Sequence, residues 1–143
     1  MKKITIYAVH SNKLNYKEEF YKALLLSKEC TKHNLILPLT EKYETMYAKD
    51  LVESSDIVII NLTNSTFSVF IETKWAIKSN KKILFLLKDN GKCSPLLNKY
   101  KQNSQKYYNY EDQIKIIEDF ILSNLDEIAS TDESGSINLG SLN

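Results

Sequence analysis

The chain has 143 residues, with 19 Lys and Arg against 18 Asp and Glu, a formal net charge of +1, 43% hydrophobic residues and 26% charged residues. That is enough chain for one globular domain with a sizeable core. The balanced charge gives no footprint for a nucleic-acid polymer or an anionic membrane surface, and no apolar run approaches the roughly 20 residues of a membrane helix.

The N-terminus enters a strand pattern at once, "ITIYAV" (4–9), without the apolar region and cleavage site of a signal peptide. "KEEFYKALLLSKECTK" (17–32) follows with Phe20, Ala23, Leu24 and Leu26 at helical spacing. "LILPL" (35–39) reads as a second strand closed by Pro38, and "EKYETMYAKDLVESS" (41–55) as a helix capped by Thr40. "DIVIINL" (56–62) is apolar on both faces, as a central parallel strand must be. A helix is expected from about Ser68 to Ser79, then another two-faced apolar strand, "ILFLL" (83–87). Ser94 and Pro95 fit the cap and first position of a short helix. "KYYNY" (106–110) reads as a fifth strand. The segment 111–129 is amphipathic, with Ile114, Ile117, Phe120, Ile121, Leu125 and Ile128 on one side. The composition turns polar near Ser130, so a domain over 1–129 and a flexible tail over 130–143 are expected.

Cys30 and Cys93 are far apart, and His10 and His33 form no paired ligand motif. A cytoplasmic chain with no metal and no other cofactor is the natural reading. Five alternations of strand and helix predict an α/β three-layer sandwich of flavodoxin-like (Rossmann-like) type, with a five-stranded parallel sheet in the order 2-1-3-4-5. Ligands in such sheets sit beyond the carboxyl ends of the strands, where the order reverses between strands 1 and 3. The loops "HSNKLN" and "TNSTFS" must flank that crevice. Glu72, about one turn into the helix after strand 3, is aimed at it and gains there from the helix dipole. Tyr7 on strand 1 is within reach of that carboxylate. Ser11, Lys13, Thr66 and Ser94 stand in loops leaving strands 1, 3 and 4, where together they can hold a phosphate.

The tyrosine of the first strand, the serine of its loop and the run "SSDIVIINLTNSTFSVFIETKWAIKSNKKILFLL" together resemble the nucleoside 2-deoxyribosyltransferase superfamily, which includes nucleotide N-glycosidases. The resemblance covers roughly residues 3–120. It implies that Glu72 is a nucleophile attacking C1′ of an N-glycoside, that Tyr7 orients it, and that Ser11, Lys13, Thr66 and, from a neighbouring subunit, Ser94 hold a phosphate. It implies a nucleoside or nucleotide as the small-molecule partner and a homodimer or larger homo-oligomer.

Two departures bear on this. The motif's glycines fall on Ser68, Phe70 and Lys74; Ser68 and Phe70 are then expected to touch substrate, with Phe70 narrowing the pocket. The acid that protonates the leaving base falls on Ala48, with Glu44 and Asp50 nearby. "NSTFSVFIETKWAI" is also similar to the Toll/interleukin-receptor (TIR) domains, some of which cleave NAD and carry a glutamate on the same helix. Three functions are therefore carried forward: cleavage or transfer of an N-glycosidic bond, hydrolysis of NAD, and binding of a nucleotide or nucleotide signal without turnover.

Overall fold

The computed structural model describes residues 3–40 and 46–142, and side chains as far as residue 128. Five parallel strands form one sheet in the order β2-β1-β3-β4-β5: β1 (Thr5–Val9), β2 (Asn34–Ile36), β3 (Ile57–Asn61), β4 (Lys82–Lys88) and β5 (Gln105–Tyr107). Helices cover both faces, so the fold is the three-layer, Rossmann-like α/β sandwich. Every residue of β3 is buried, because it lies between β1 and β4 with helices above and below.

Side chains alternate across a strand, and this divides the core. Ile6, Ala8, Ile57 and Ile59 meet Phe20, Leu24, Ile117 and Ile121 on one face. Tyr7, Val9, Val58 and Ile60 meet Val52, Val69 and Ala76 on the other. Tyr7 thus belongs to the face covered by α3 (Ala48–Glu53) and α4 (Phe67–Lys78).

The first helical segment is not one continuous helix. A π-helical turn (Lys17–Tyr21) leads into α1 (Lys22–Leu26); the chain then opens at Ser27, with ψ of 119°, and restarts as α2 (Lys28–Thr31). Ser27 Oγ accepts the Cys30 N–H and donates to Glu118 of the last helix, so the serine serves as a cap and a tether. The second expected helix is shorter, because α3 begins only at Ala48. Residues 41–45, Glu44 among them, lie outside the described residues, and Thr40 turns its hydroxyl back onto the Leu37 carbonyl. Ser94 does cap the 3₁₀ turn Pro95–Leu97, which runs into α5 (Asn98–Lys101). The last helix, α6 (Tyr110–Leu142), runs on as helical backbone through Ser130, where the polar composition predicts a flexible tail. Its packing against the core is made by residues up to Ile128.

Candidate functional site

Beyond the carboxyl ends of β1 and β2 lies a cavity of about 330 Å³. It has a polar side, with Tyr7, His10 and Asn12 from β1 and its loop and Ser68 and Glu72 from α4. Its apolar side is formed by Pro38, Leu39, Met46, Ala48 and Leu51, from the loop after β2 and from α3. Through Ser68 and Glu72 of α4, the helix that follows β3, the cavity also borders the point where the strand order reverses between β1 and β3.

At the boundary between cavity and sheet, Tyr7 Oη donates to Glu72 Oε1 at 2.9 Å. Among the described residues the other carboxylate oxygen has no donor. Burial pushes the Glu72 carboxyl up to about 7, and the Tyr7 hydrogen bond opposes that rise without cancelling it. Tyr7 is fully buried, and burial together with the neighbouring carboxylate raises its own pKa, so it remains a protonated donor at neutral pH.

The helix dipole does not favour ionisation of Glu72, contrary to the expectation from its place near the start of α4. Helix α4 starts at Phe67 and has no acid in its first turn; Glu72 stands in the second turn, where the dipole has faded. Desolvation dominates, and the carboxyl is harder to ionise than an ordinary one, not easier.

Phe70 does not narrow the cavity. Residues 68 and 72 are one helical turn apart and share a face, whereas 70 and 74 lie on the far side. Ser68 and Glu72 line the cavity. Phe70 packs outside it, 5.9 Å from the Phe67 ring, with Lys74 Nζ 5.4 Å from its centroid. Two of the three positions where the family motif has glycine thus point away from any ligand bound at Glu72.

The expected phosphate residues divide into three groups. Ser11 is fully buried; its hydroxyl accepts the Lys13 N–H, and it does not line the cavity. Thr66 Oγ1 pairs with Ser68 Oγ at 3.0 Å on the surface. Lys13 and Ser94 line a separate depression of about 270 Å³, together with Lys92, Cys93, Asn64 and Ser65. Ser65 Oγ accepts the Ser94 N–H there, which ties the loops after β3 and β4 together. Neither Lys13 nor Lys92 has a carboxylate partner among the described residues. Asn12 lines the Glu72 cavity and its chain neighbour Lys13 the depression.

His10, Asn12 and Lys92 also line these two sites, and no motif in the sequence marks them. His10 and Asn12 belong to the loop "HSNKLN", so their place near the crevice is legible, whereas their contacts depend on the fold. Among the described residues, no group of three or more His, Cys, Asp or Glu could hold a metal ion, and no helix is long and apolar enough to cross a membrane.

No family model and no curated protein matches the sequence. Among solved structures the fold is similar to that of the CMP N-glycosidase BcmB of Clostridium botulinum, with a TM-score of 0.58 and 17% identity over 80% of this chain and 97% of that one. At that identity the likeness establishes the fold.

Proposed function

We propose that the protein cleaves the N-glycosidic bond of a nucleoside or nucleoside 5′-monophosphate, with Glu72 as nucleophile. The observation that carries this is the Tyr7–Glu72 pair at the wall of a 330 Å³ cavity, with one carboxylate oxygen held by the tyrosine and the other without a donor among the described residues. The likeness of the fold to a CMP N-glycosidase supports the same reaction class.

In this mechanism a lone pair of Glu72 Oε2 forms the bond to C1′ while the C1′–N bond breaks, and its electrons leave with the base. The Tyr7 hydrogen bond fixes the carboxylate in the attacking orientation, and the negative charge faces the cationic character that develops on the sugar. Water then attacks C1′ of the glycosyl ester, the C1′–O bond to Glu72 breaks and returns the carboxylate, and the proton that the water loses balances the one that the departed base takes up from solvent. Glu72 must be ionised to begin, so its raised pKa places the onset of activity near neutrality.

A second reading is favoured by one observation: Ala48, at the family's acid position, lines the cavity. An N-glycoside whose base is already cationic, such as the nicotinamide of NAD, leaves as a neutral molecule and needs no proton.

The test is a panel of nucleosides, nucleoside 5′-monophosphates and NAD, with free base quantified by chromatography. Release from a nucleoside or monophosphate supports the first reading, and nicotinamide alone the second. Tight binding without release of any base would establish a binding protein and refute catalysis. The depression lined by Lys13 adds a prediction. Lys13→Ala with Lys92→Ala is expected to weaken 5′-monophosphates about tenfold or more while leaving the corresponding nucleosides unchanged, because each lysine contributes one charge-assisted contact. Equal weakening of both ligand types in titration calorimetry would remove the phosphate from that depression.

A further inference from the structure

Two side chains on the apolar side of the Glu72 cavity are largely exposed: Leu39 by 47% and Met46 by 51%. The backbone at Leu39 is nevertheless held firmly. Its N–H donates to Tyr21 Oη at 3.2 Å, and the next residue, Thr40, bonds the Leu37 carbonyl through both its N–H and its hydroxyl. Tyr21 Oη in turn lies 2.7 Å from His10 Nε2, and His10 Nδ1 lies 3.1 Å from the Ser11 carbonyl.

The proton positions follow from these partners. A carbonyl can only accept, so Nδ1 carries the hydrogen. Burial lowers the His10 pKa, so the ring is neutral and Nε2 is an acceptor. Tyr21 therefore donates to Nε2 while it accepts from Leu39. One unbranched chain of hydrogen bonds runs from the Leu39 amide through Tyr21 and His10 to the loop after β1. The His10 ring is also stacked on Tyr16 at 4.5 Å and meets the edges of Phe20 and Tyr21. The two loops it joins, after β1 and after β2, both line the cavity.

With C1′ at Glu72, the apolar lining of the same cavity, Pro38 and Leu39 among it, is the surface suited to the faces of a base. We propose that His10 and Tyr21 are positioning residues that hold the Pro38–Leu39 segment as the base-facing wall, and so set which leaving base the cavity admits. This rests on the N-glycoside reading above. The ligand class is a heteroaromatic base, selected by its fit against the apolar side of the cavity. Apolar fit of this kind discriminates by about 10- to 200-fold per methylene-sized misfit.

Tyr21→Phe tests it, because the ring and its contacts stay and only the hydroxyl goes. Dissociation constants are measured by titration calorimetry for ribose 5-phosphate and for purine and pyrimidine nucleoside 5′-monophosphates. The base-bearing ligands are expected to weaken about tenfold in the variant, the ratio between purine and pyrimidine to contract, and ribose 5-phosphate to bind unchanged. His10→Leu should reproduce this pattern. His10→Gln, which keeps an acceptor for the Tyr21 hydroxyl, should restore part of the selectivity. Equal weakening of ribose 5-phosphate would reduce the brace to a general structural role, and unchanged constants throughout would overturn it. The two readings separate cleanly. Selective weakening without base release by the wild type refutes catalysis and leaves the brace standing. Base release with uniform weakening refutes the brace alone. A wild type that binds none of these ligands and releases base from no nucleoside or monophosphate refutes both.

Discussion

Glu72→Gln is expected to lower base release by about 10⁴-fold or more, as removal of a nucleophile does, and at the same time to make the folded protein more stable above neutral pH. The second half follows from the sign of the pKa shift. The carboxyl sits at about 7 in the folded chain against an ordinary 4.5. Folding therefore opposes ionisation. The penalty is absent below the unfolded value, grows as pH rises between 4.5 and 7, and is complete above that. Its size is on the order of 3 kcal/mol. Glutamine has the same shape, still accepts from Tyr7 through its carbonyl, and carries no charge to desolvate. Urea denaturation of both proteins at pH 8 and pH 4 checks this: a stability gain for the variant at pH 8 that vanishes at pH 4. A variant less stable at pH 8 would mean that the carboxylate is a structural anchor, and the case for a site held against its own folding energy would fail. The paired outcome, lost turnover and gained stability, is what a functional group retained at a cost to the fold predicts.

The parts of this arrangement legible in the sequence share a physical origin. The two-faced apolar run at 56–62 can only be a central strand, and alternation along 4–9 puts Tyr7 and Val9 on the face opposite Ile6 and Ala8. Those two facts, with the strand order, already bring Tyr7 and Glu72 into one crevice. The direction of Phe70 was also legible, since two helical positions rotate a side chain by about 200°; the glycine motif drew attention to it and obscured that geometry. Other features depend on contacts distant in sequence. The break at Ser27 is stabilised by Glu118, 91 positions away. The role of His10 depends on an amide at Leu39, 29 positions away, which it reaches through Tyr21; the rings around it, Tyr16, Phe20 and Tyr21, are local, but that they close on His10 is a matter of how the loop after β1 turns. The division of Lys13 and Ser94 from the Glu72 cavity is a matter of how three loops turn after leaving the sheet, and turn direction is weakly encoded in Asn- and Ser-rich segments. Asn64 shows this: it takes a φ of 52°, which asparagine tolerates but does not require.

The second large effect is expected at Tyr7, and its signature is a displaced pH profile. In the wild type, base release should rise with pH along a limb centred near 7, because only ionised Glu72 attacks. Tyr7 supplies the one interaction that lowers the Glu72 pKa against burial. Tyr7→Phe removes it and leaves Oε1 without a donor among the described residues. The acid limb should move to higher pH, and kcat/KM at pH 7 should fall by about 10- to 100-fold, part from the smaller ionised fraction and part from lost orientation. Raising the pH recovers the first part and not the second, so the profile itself separates them. An unshifted limb would show that the Tyr7–Glu72 contact does not tune the nucleophile. The two residues act as one unit, and their effects should not add: Tyr7→Phe in a Glu72→Gln background should change the residual rate little, since the group it orients no longer reacts. Additive losses would instead place Tyr7 on the substrate, with a role independent of the carboxylate it faces.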